Sequence, residues 1–127
     1  MKKKIYVITG SRADYGLMQN LINKFHKDKN IDLKIFATGM HLSPEFGNTY
    51  KEILNDGFKI EKKIKILNCS DTPIAISKST GLGVMGFGKI FNSYKPDLLI
   101  VLGDRYEIMA AVMAANFHHI PVAHIGG

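Results

Sequence analysis

Leu98-Leu99-Ile100-Val101-Leu102-Gly103 is the stretch that decides the fold. Its five apolar residues show no alternation of polar and apolar faces, and a glycine ends the run. A strand apolar on both faces is a central parallel strand covered by helices on either side. The same signature recurs outward from it. Ile5–Thr9 runs into Gly10, Leu33–Thr38 into Gly39, and Pro121–Ile125 into Gly126-Gly127. Phe58–Ile66 alternates less cleanly and is expected to be an edge strand.

Helical patterns fill the intervals. Tyr15–His26 carries Leu17, Leu21, Ile22 and Phe25 at near-helical spacing. Glu45–Asn55 carries Phe46, Tyr50, Ile53 and Leu54 and stops at Asp56-Gly57. Thr72–Tyr94 opens on the cap signal Ser70-Asp71-Thr72-Pro73 and closes at Lys95-Pro96. Its glycines Gly81, Gly83, Gly86 and Gly88 weaken a helix by about 1 kcal/mol each but permit close backbone approach. Tyr106–Phe117, rich in alanine and methionine, gives the clearest helix, with Met109 and Met113 expected in the core. Strands alternating with helices predict a three-layer α/β Rossmann-like parallel sheet. Residues 1–127 are expected to form one such lobe. A doubly wound domain normally continues into a helix after a strand such as 121–125, so the lobe reads as truncated.

Composition narrows the function classes. The 127 residues are 46% hydrophobic, enough for a core, and carry 17 Lys+Arg against 11 Asp+Glu, a formal charge of +6. Apart from runs at Lys2–Lys4 and Lys62–Lys65, the lysines are scattered, as on a solvated surface. No arginine-rich or aromatic-interleaved tract supports a nucleic-acid surface. The lone cysteine, Cys69, allows no intrachain disulfide and has no base near it in sequence. The N-terminal apolar run is shorter than the about 7–15 residues of a signal peptide, and no run approaches the roughly 20 of a membrane span. A soluble cytoplasmic protein is expected, with no membrane partner.

In an open parallel sheet, ligands bind at the carboxyl ends of the strands where strand order reverses, usually beside the first and fourth strands. Those ends are Gly10-Ser11-Arg12-Ala13-Asp14-Tyr15-Gly16 and Gly103-Asp104-Arg105-Tyr106-Glu107. Neither is a dinucleotide fingerprint or a P-loop. The first opens a helix whose free N–H groups suit an anion, and Arg12 can add a bidentate contact; otherwise Arg12 pairs with an acid such as Asp14. Asp104 is equally a helix cap or a proton-transfer group beside Arg105, with Arg105 otherwise paired to Glu107 or Asp104. His41 follows the second strand and is expected to face the same crevice. His124 reads as buried within the last strand, and His118-His119 as a helix end. No Cys/His cluster has zinc spacing, so no metal is expected.

These segments also carry a family resemblance. Ile8-Thr9-Gly10-Ser11-Arg12-Ala13-Asp14-Tyr15-Gly16 and Thr38-Gly39-Met40-His41-Leu42-Ser43-Pro44-Glu45-Phe46-Gly47 resemble the first two loops of hydrolysing UDP-N-acetylglucosamine 2-epimerases of bacterial sialic-acid synthesis. Ser70-Asp71-Thr72-Pro73, Lys95-Pro96-Asp97, Val101-Leu102-Gly103-Asp104-Arg105-Tyr106-Glu107 and Pro121-Val122-Ala123-His124-Ile125-Gly126-Gly127 follow in the family's order. The resemblance implies two Rossmann-like lobes in the GT-B arrangement, with the active site in the cleft between them. It implies conversion of UDP-N-acetylglucosamine to N-acetylmannosamine and UDP, by anti elimination to a 2-acetamidoglucal and hydration with inversion at C2. No nicotinamide or obligatory metal is implied, and dimers or tetramers are. By matched position, Arg12 and Ala13 are implied to contact the nucleotide diphosphate, Arg105 to bind substrate, and Asp104 to act in catalysis. The family's next carboxylate falls immediately after Gly127, and the second lobe lies outside the chain, so this segment alone is expected to be inactive. Related readings are a legionaminic-acid-type 2-epimerase of a UDP-linked diacetamido sugar and a nonhydrolysing 2-epimerase. The reading from another class is a noncatalytic nucleotide-binding module.

Overall fold

The structure is a computed structural model that describes residues 2–43, 47–66, 72–103 and 105–126, and only the backbone at Met40. Five strands form one all-parallel sheet: β1 (Lys3–Thr9), β2 (Ile31–Thr38), β3 (Lys62–Ile64), β4 (Leu98–Leu102) and β5 (Val122–Ile125). The spatial order is β3-β2-β1-β4-β5, so the order reverses between β1 and β4. Val7 pairs with Ile35 on one side and with Ile100 on the other, which makes β1 the middle strand, and the apolar run at 98–102 lies inside the sheet between β1 and β5. β3 is an edge strand, as its weaker pattern predicts, and only three residues of the 58–66 stretch pair.

Among the described residues, two helices cover each face. α1 (Arg12–Lys27) and α2 (Tyr50–Asn55) lie on one side, where Tyr15, Met18, Ile22 and Ile53 pack against Ile5, Val7, Ile35 and Ile100. α3 (Pro73–Ser93) and α4 (Tyr106–Phe117) lie on the other, where Phe87, Ile90, Phe91, Ile108, Ala111 and Ala115 meet Tyr6, Ile8, Phe36, Leu99 and Val101. Alternate residues of β1 thus enter opposite cores, the period of two that a doubly covered strand imposes. Thr72 caps α3 by accepting from the Ala75 N–H, with Pro73 in the first turn.

The glycines of α3 do different work. A Cβ on Gly83 would stand 2.9 Å from the Ala110 Cβ, and one on Gly86 would stand 2.8 Å from Ile64 Cγ2. Bare backbone at these two positions lets α3 seat against α4 and β3. Gly81 meets nothing within 4 Å.

Three expectations need correction. Met109 and Met113 are exposed, at 54% and 40%. α4 is apolar all round, and its small alanines take the inner face while the methionines line a shallow groove with Val112, Asn116, Ile120 and Val122. His124 is exposed, because β5 is the other edge of the sheet, and its Nε2 lies against the Gly103 carbonyl. The helix expected from residue 45 is described only as Tyr50–Asn55; Glu45 and Phe46, like Cys69 and the Ser70-Asp71 part of the cap signal, lie outside the described residues.

Candidate functional site

The sheet reversal brings the loop after β1 beside the loop after β4. Ser11 is the N-cap of α1 and accepts from the Asp14 N–H, while the Asp14 carboxylate accepts from the Ser11 N–H, completing a reciprocal capping box. Asp14 is therefore committed to the cap and does not pair with Arg12. Arg12 instead meets Glu52 of α2 at 3.2 Å in an exposed pair, which contributes little at the surface.

An open cavity of roughly 810 Å³ lies at these strand ends, lined by Ser11, Arg12, Ala13, Gly16, Leu17, Thr49 and Arg105. Arg12 and Arg105, expected from sequence to share one crevice, and Ala13, placed with them by the resemblance, all stand on its wall. Asp104 lies outside the described residues. The N-cap of α4 is Arg105, whose side chain makes no cap bond.

Arg105 is held by Glu107, which sequence alone shows only as one of two nearby acids. The Arg105 Nε donates to Glu107 Oε1 at 2.7 Å, and the Glu107 side chain is 1% exposed. That bond raises the Arg105 pKa above its already high ordinary value. Glu107 Oε2 has no hydrogen-bond partner among the described residues. Room for this carboxylate comes from two loop glycines. A Cβ on Gly10 would lie 3.0 Å from Glu107 Oε1; one on Gly39 would lie 3.2 Å from it and 3.0 Å from the Gly10 carbonyl oxygen. Gly39 also adopts φ +60°, open to glycine at no steric cost.

His41 departs from its expected place. The 3-10 turn Gly39–Leu42 follows β2 and tucks the ring behind the cavity wall, fully buried. Its Nε2 stands 2.7 Å from Thr9 Oγ1 and its Nδ1 2.9 Å from Thr49 Oγ1. Burial pushes its pKa down to about 4, against a smaller upward pull from Glu52 and from the Ser11 and Thr49 carbonyls. The ring is thus neutral and presents no surface to a ligand. Thr9, also fully buried, bonds Asp14 as well. Burial raises the Asp14 pKa, and its hydrogen bonds to Thr9, Gly10 and Ser11 hold it down. Among the described residues no group of three metal-ligating side chains occurs, and no helix is long and apolar enough to cross a membrane.

The model of the family described as UDP-N-acetylglucosamine 2-epimerase matches residues 23–127. The chain is 44% identical to the GDP/UDP-N,N'-diacetylbacillosamine 2-epimerase (hydrolyzing) of Campylobacter jejuni subsp. jejuni, over 99% of this chain and 33% of that protein. It is 42% identical to the UDP-N,N'-diacetylbacillosamine 2-epimerase (hydrolyzing) of Legionella pneumophila subsp. pneumophila, over 100% of this chain and 34% of that protein. Among solved structures, the UDP-GlcNAc 2-epimerase of Methanocaldococcus jannaschii in complex with UDP-GlcNAc and UDP superposes with a TM-score of 0.78 at 28% identity, covering 95% of this chain and 32% of that one. The chain spans about a third of the length of the curated relatives it matches.

Proposed function

The chain belongs to the UDP-N-acetylglucosamine 2-epimerase family, and on that premise we propose that it is the N-terminal, diphosphate-binding lobe of a two-lobe, hydrolysing nucleotide-sugar 2-epimerase. The observation that carries the reading is the convergence of Arg12, Ala13 and Arg105 from two strand ends onto one cavity at the sheet reversal. Two guanidinium groups over such a crevice offset the charge of a diphosphate. The free N–H groups at the start of α1 add to that field.

In this reading the sugar loses its C2 proton to a base while the C1–O bond to UDP breaks, leaving a C1=C2 double bond. Water then adds its oxygen at C1 and a proton at C2 on the opposite face. The sum is UDP-sugar plus water to free 2-epimeric sugar plus UDP. Arg12 and Arg105 stabilise the departing diphosphate, as preorganised charge does best where charge develops. Asp104, next to Arg105 in sequence, is assigned a proton transfer. The second lobe supplies the further acids and closes the cleft against water.

For the sugar, the hydrolysing relatives at 44% and 42% identity favour UDP-N,N'-diacetylbacillosamine. UDP-N-acetylglucosamine is the second reading, favoured by the likeness to the Methanocaldococcus jannaschii enzyme bound to it. The two-lobe protein is incubated with each UDP-sugar separately, and UDP and free sugar are followed by chromatography and NMR. Release of UDP with a C2-inverted free sugar is expected, fastest with the diacetamido substrate. A C2-inverted sugar still linked to UDP would make the enzyme nonhydrolysing. No turnover, with UDP bound, would reduce it to a binding module.

A further inference from the structure

With Asp14 ionised, the buried hydrogen-bond chain behind the cavity runs in one direction, and that direction sets what Thr49 shows a ligand. Asp14 Oδ2 accepts from the Gly10 N–H, the Ser11 N–H and the Ser11 hydroxyl at 3.0, 3.0 and 3.1 Å. An ionised carboxylate accepts only, so the single hydroxyl hydrogen of Thr9 goes to Asp14 Oδ1, its nearest acceptor. The other acceptors within reach are His41 Nε2 at 2.7 Å and the Ser11 carbonyl at 3.3 Å, and giving the hydrogen to either would leave the Thr9 oxygen facing Asp14 Oδ1 with no hydrogen between them. With its hydrogen spent, Thr9 Oγ1 can only accept from His41 Nε2, 2.7 Å away.

His41 then carries its proton on Nε2. A neutral imidazole has one N–H and one bare nitrogen, and burial keeps this ring neutral. Nδ1 is therefore an acceptor, and the hydroxyl that faces it at 2.9 Å, that of Thr49, is the donor. Thr49 is partly exposed and lines the cavity. Its only hydrogen points inward to His41, so its oxygen turns lone pairs alone toward the cavity.

We infer that Thr49, oriented through the Asp14–Thr9–His41 chain, is an obligate hydrogen-bond acceptor in the cavity and takes a hydroxyl or amide N–H of the ligand rather than a phosphate oxygen. Lone pairs repel a phosphate oxygen, so Thr49 marks where the anion-binding part of the cavity, held by Arg12 and Arg105, gives way to a part that reads sugar or ribose donors. His41 is a positioning residue here: it touches no ligand and sets which way the Thr49 hydroxyl points. The inference rests on the proposal that this cavity takes a nucleotide sugar.

Two measurements test it. The first needs no ligand. Long-range proton–nitrogen NMR spectra of 15N-histidine-labelled protein at neutral pH should show the His41 ring protonated at Nε2 and bare at Nδ1; a proton on Nδ1 overturns the inference. The second titrates inorganic pyrophosphate, UDP and UDP-N-acetylglucosamine calorimetrically into the two-lobe wild-type protein, Thr49→Val and Thr49→Ser. Thr49→Val should weaken the probe that carries the donor about fivefold, the worth of one ordinary net hydrogen bond. Pyrophosphate should bind unchanged, and Thr49→Ser, which keeps the hydroxyl, should restore wild-type affinity. Weakening of both UDP and UDP-N-acetylglucosamine places the donor on the ribose; weakening of UDP-N-acetylglucosamine alone places it on the sugar. Equal weakening of pyrophosphate, or of no probe, overturns the inference. A wild-type protein that binds none of the three refutes the nucleotide-sugar reading and the ligand assigned to Thr49, while the ring spectrum still decides the hydroxyl's direction.

Discussion

Glu107 ties the Arg105 side chain to the interior: a carboxylate 1% exposed, with one oxygen on Arg105 and the other without a partner among the described residues. Removing the guanidinium strands a buried charge, so Arg105→Ala is expected to cost on the order of 3 kcal/mol of stability as well as ligand affinity. Adding Glu107→Gln to Arg105→Ala removes the stranded charge and should recover part of that loss in urea unfolding; no recovery would show that Glu107 does not depend on Arg105. His41 gives a pH signature. Its pKa is 6.5 in an ordinary setting and about 4 in the fold. The unfolded chain therefore binds a proton that the folded chain refuses. Stability is full above about pH 6.5 and falls as pH drops toward 4, by at most about 3 kcal/mol. The raised carboxyl of Asp14 runs the other way and offsets part of the loss near the acid end. His41→Gln should flatten the decline between pH 6.5 and 4.5 in urea titrations, and an unchanged slope would assign it to other groups. The sequence offers the Arg105–Glu107 pair as one of two for Arg105, but the burial of Glu107 and of His41 was not legible there. Arg12 and Arg105 could be placed at the cavity because they closely follow apolar strands, and Ala13 came from the family resemblance alone, whereas the burial of His41 depends on a 3-10 turn packed against Gly10, and Glu107 gains its meaning from two glycines on other loops.

Between elements, α3 and α4 are close enough for one methyl group to matter. Gly83→Ala should gain helix propensity of about 1 kcal/mol, yet lose more, about 1–3 kcal/mol, to the clash with Ala110. Gly81→Ala, with nothing within 4 Å, should show only the gain and raise the melting temperature. If both substitutions stabilise equally, the close seating of α3 on α4 is not real. The four glycines of α3 look alike in sequence, and only packing separates those that admit a neighbour from those that do not. Strand content was easier to read, because 5–9 and 98–102 are apolar on both faces, 33–38 is so but for Lys34, and that pattern has one good home in an α/β sheet. The edge strands were harder. β3 pairs through three residues, too few to impose a pattern on 58–66, and β5 leaves His124 exposed although it continues an apolar run. Met109 and Met113 misled for a related reason: α4 is apolar around its circumference, so periodicity could not say which side faces inward.

On the proposed reading, this lobe holds the diphosphate and is one source of proton transfer in the intact enzyme. Asp104→Asn in the two-lobe enzyme should lower turnover about 10²–10⁴-fold while UDP affinity holds; turnover above about a third of wild type would leave Asp104 no proton-transfer role. The proposed function stands or falls on whether the nucleotide diphosphate sits in the cavity at the β1–β4 reversal. Arg12 tests it most cleanly, because its side chain is 75% exposed and its ion pair with Glu52 lies at the surface, so its removal is expected to leave the fold intact. Titration calorimetry of UDP into the two-lobe wild-type protein and Arg12→Ala is the decisive measurement. Loss of charge-assisted hydrogen bonds of about 1.5–3 kcal/mol predicts UDP binding about 10- to 100-fold weaker, with the melting temperature unchanged. UDP affinity equal to that of the wild type would place the diphosphate elsewhere.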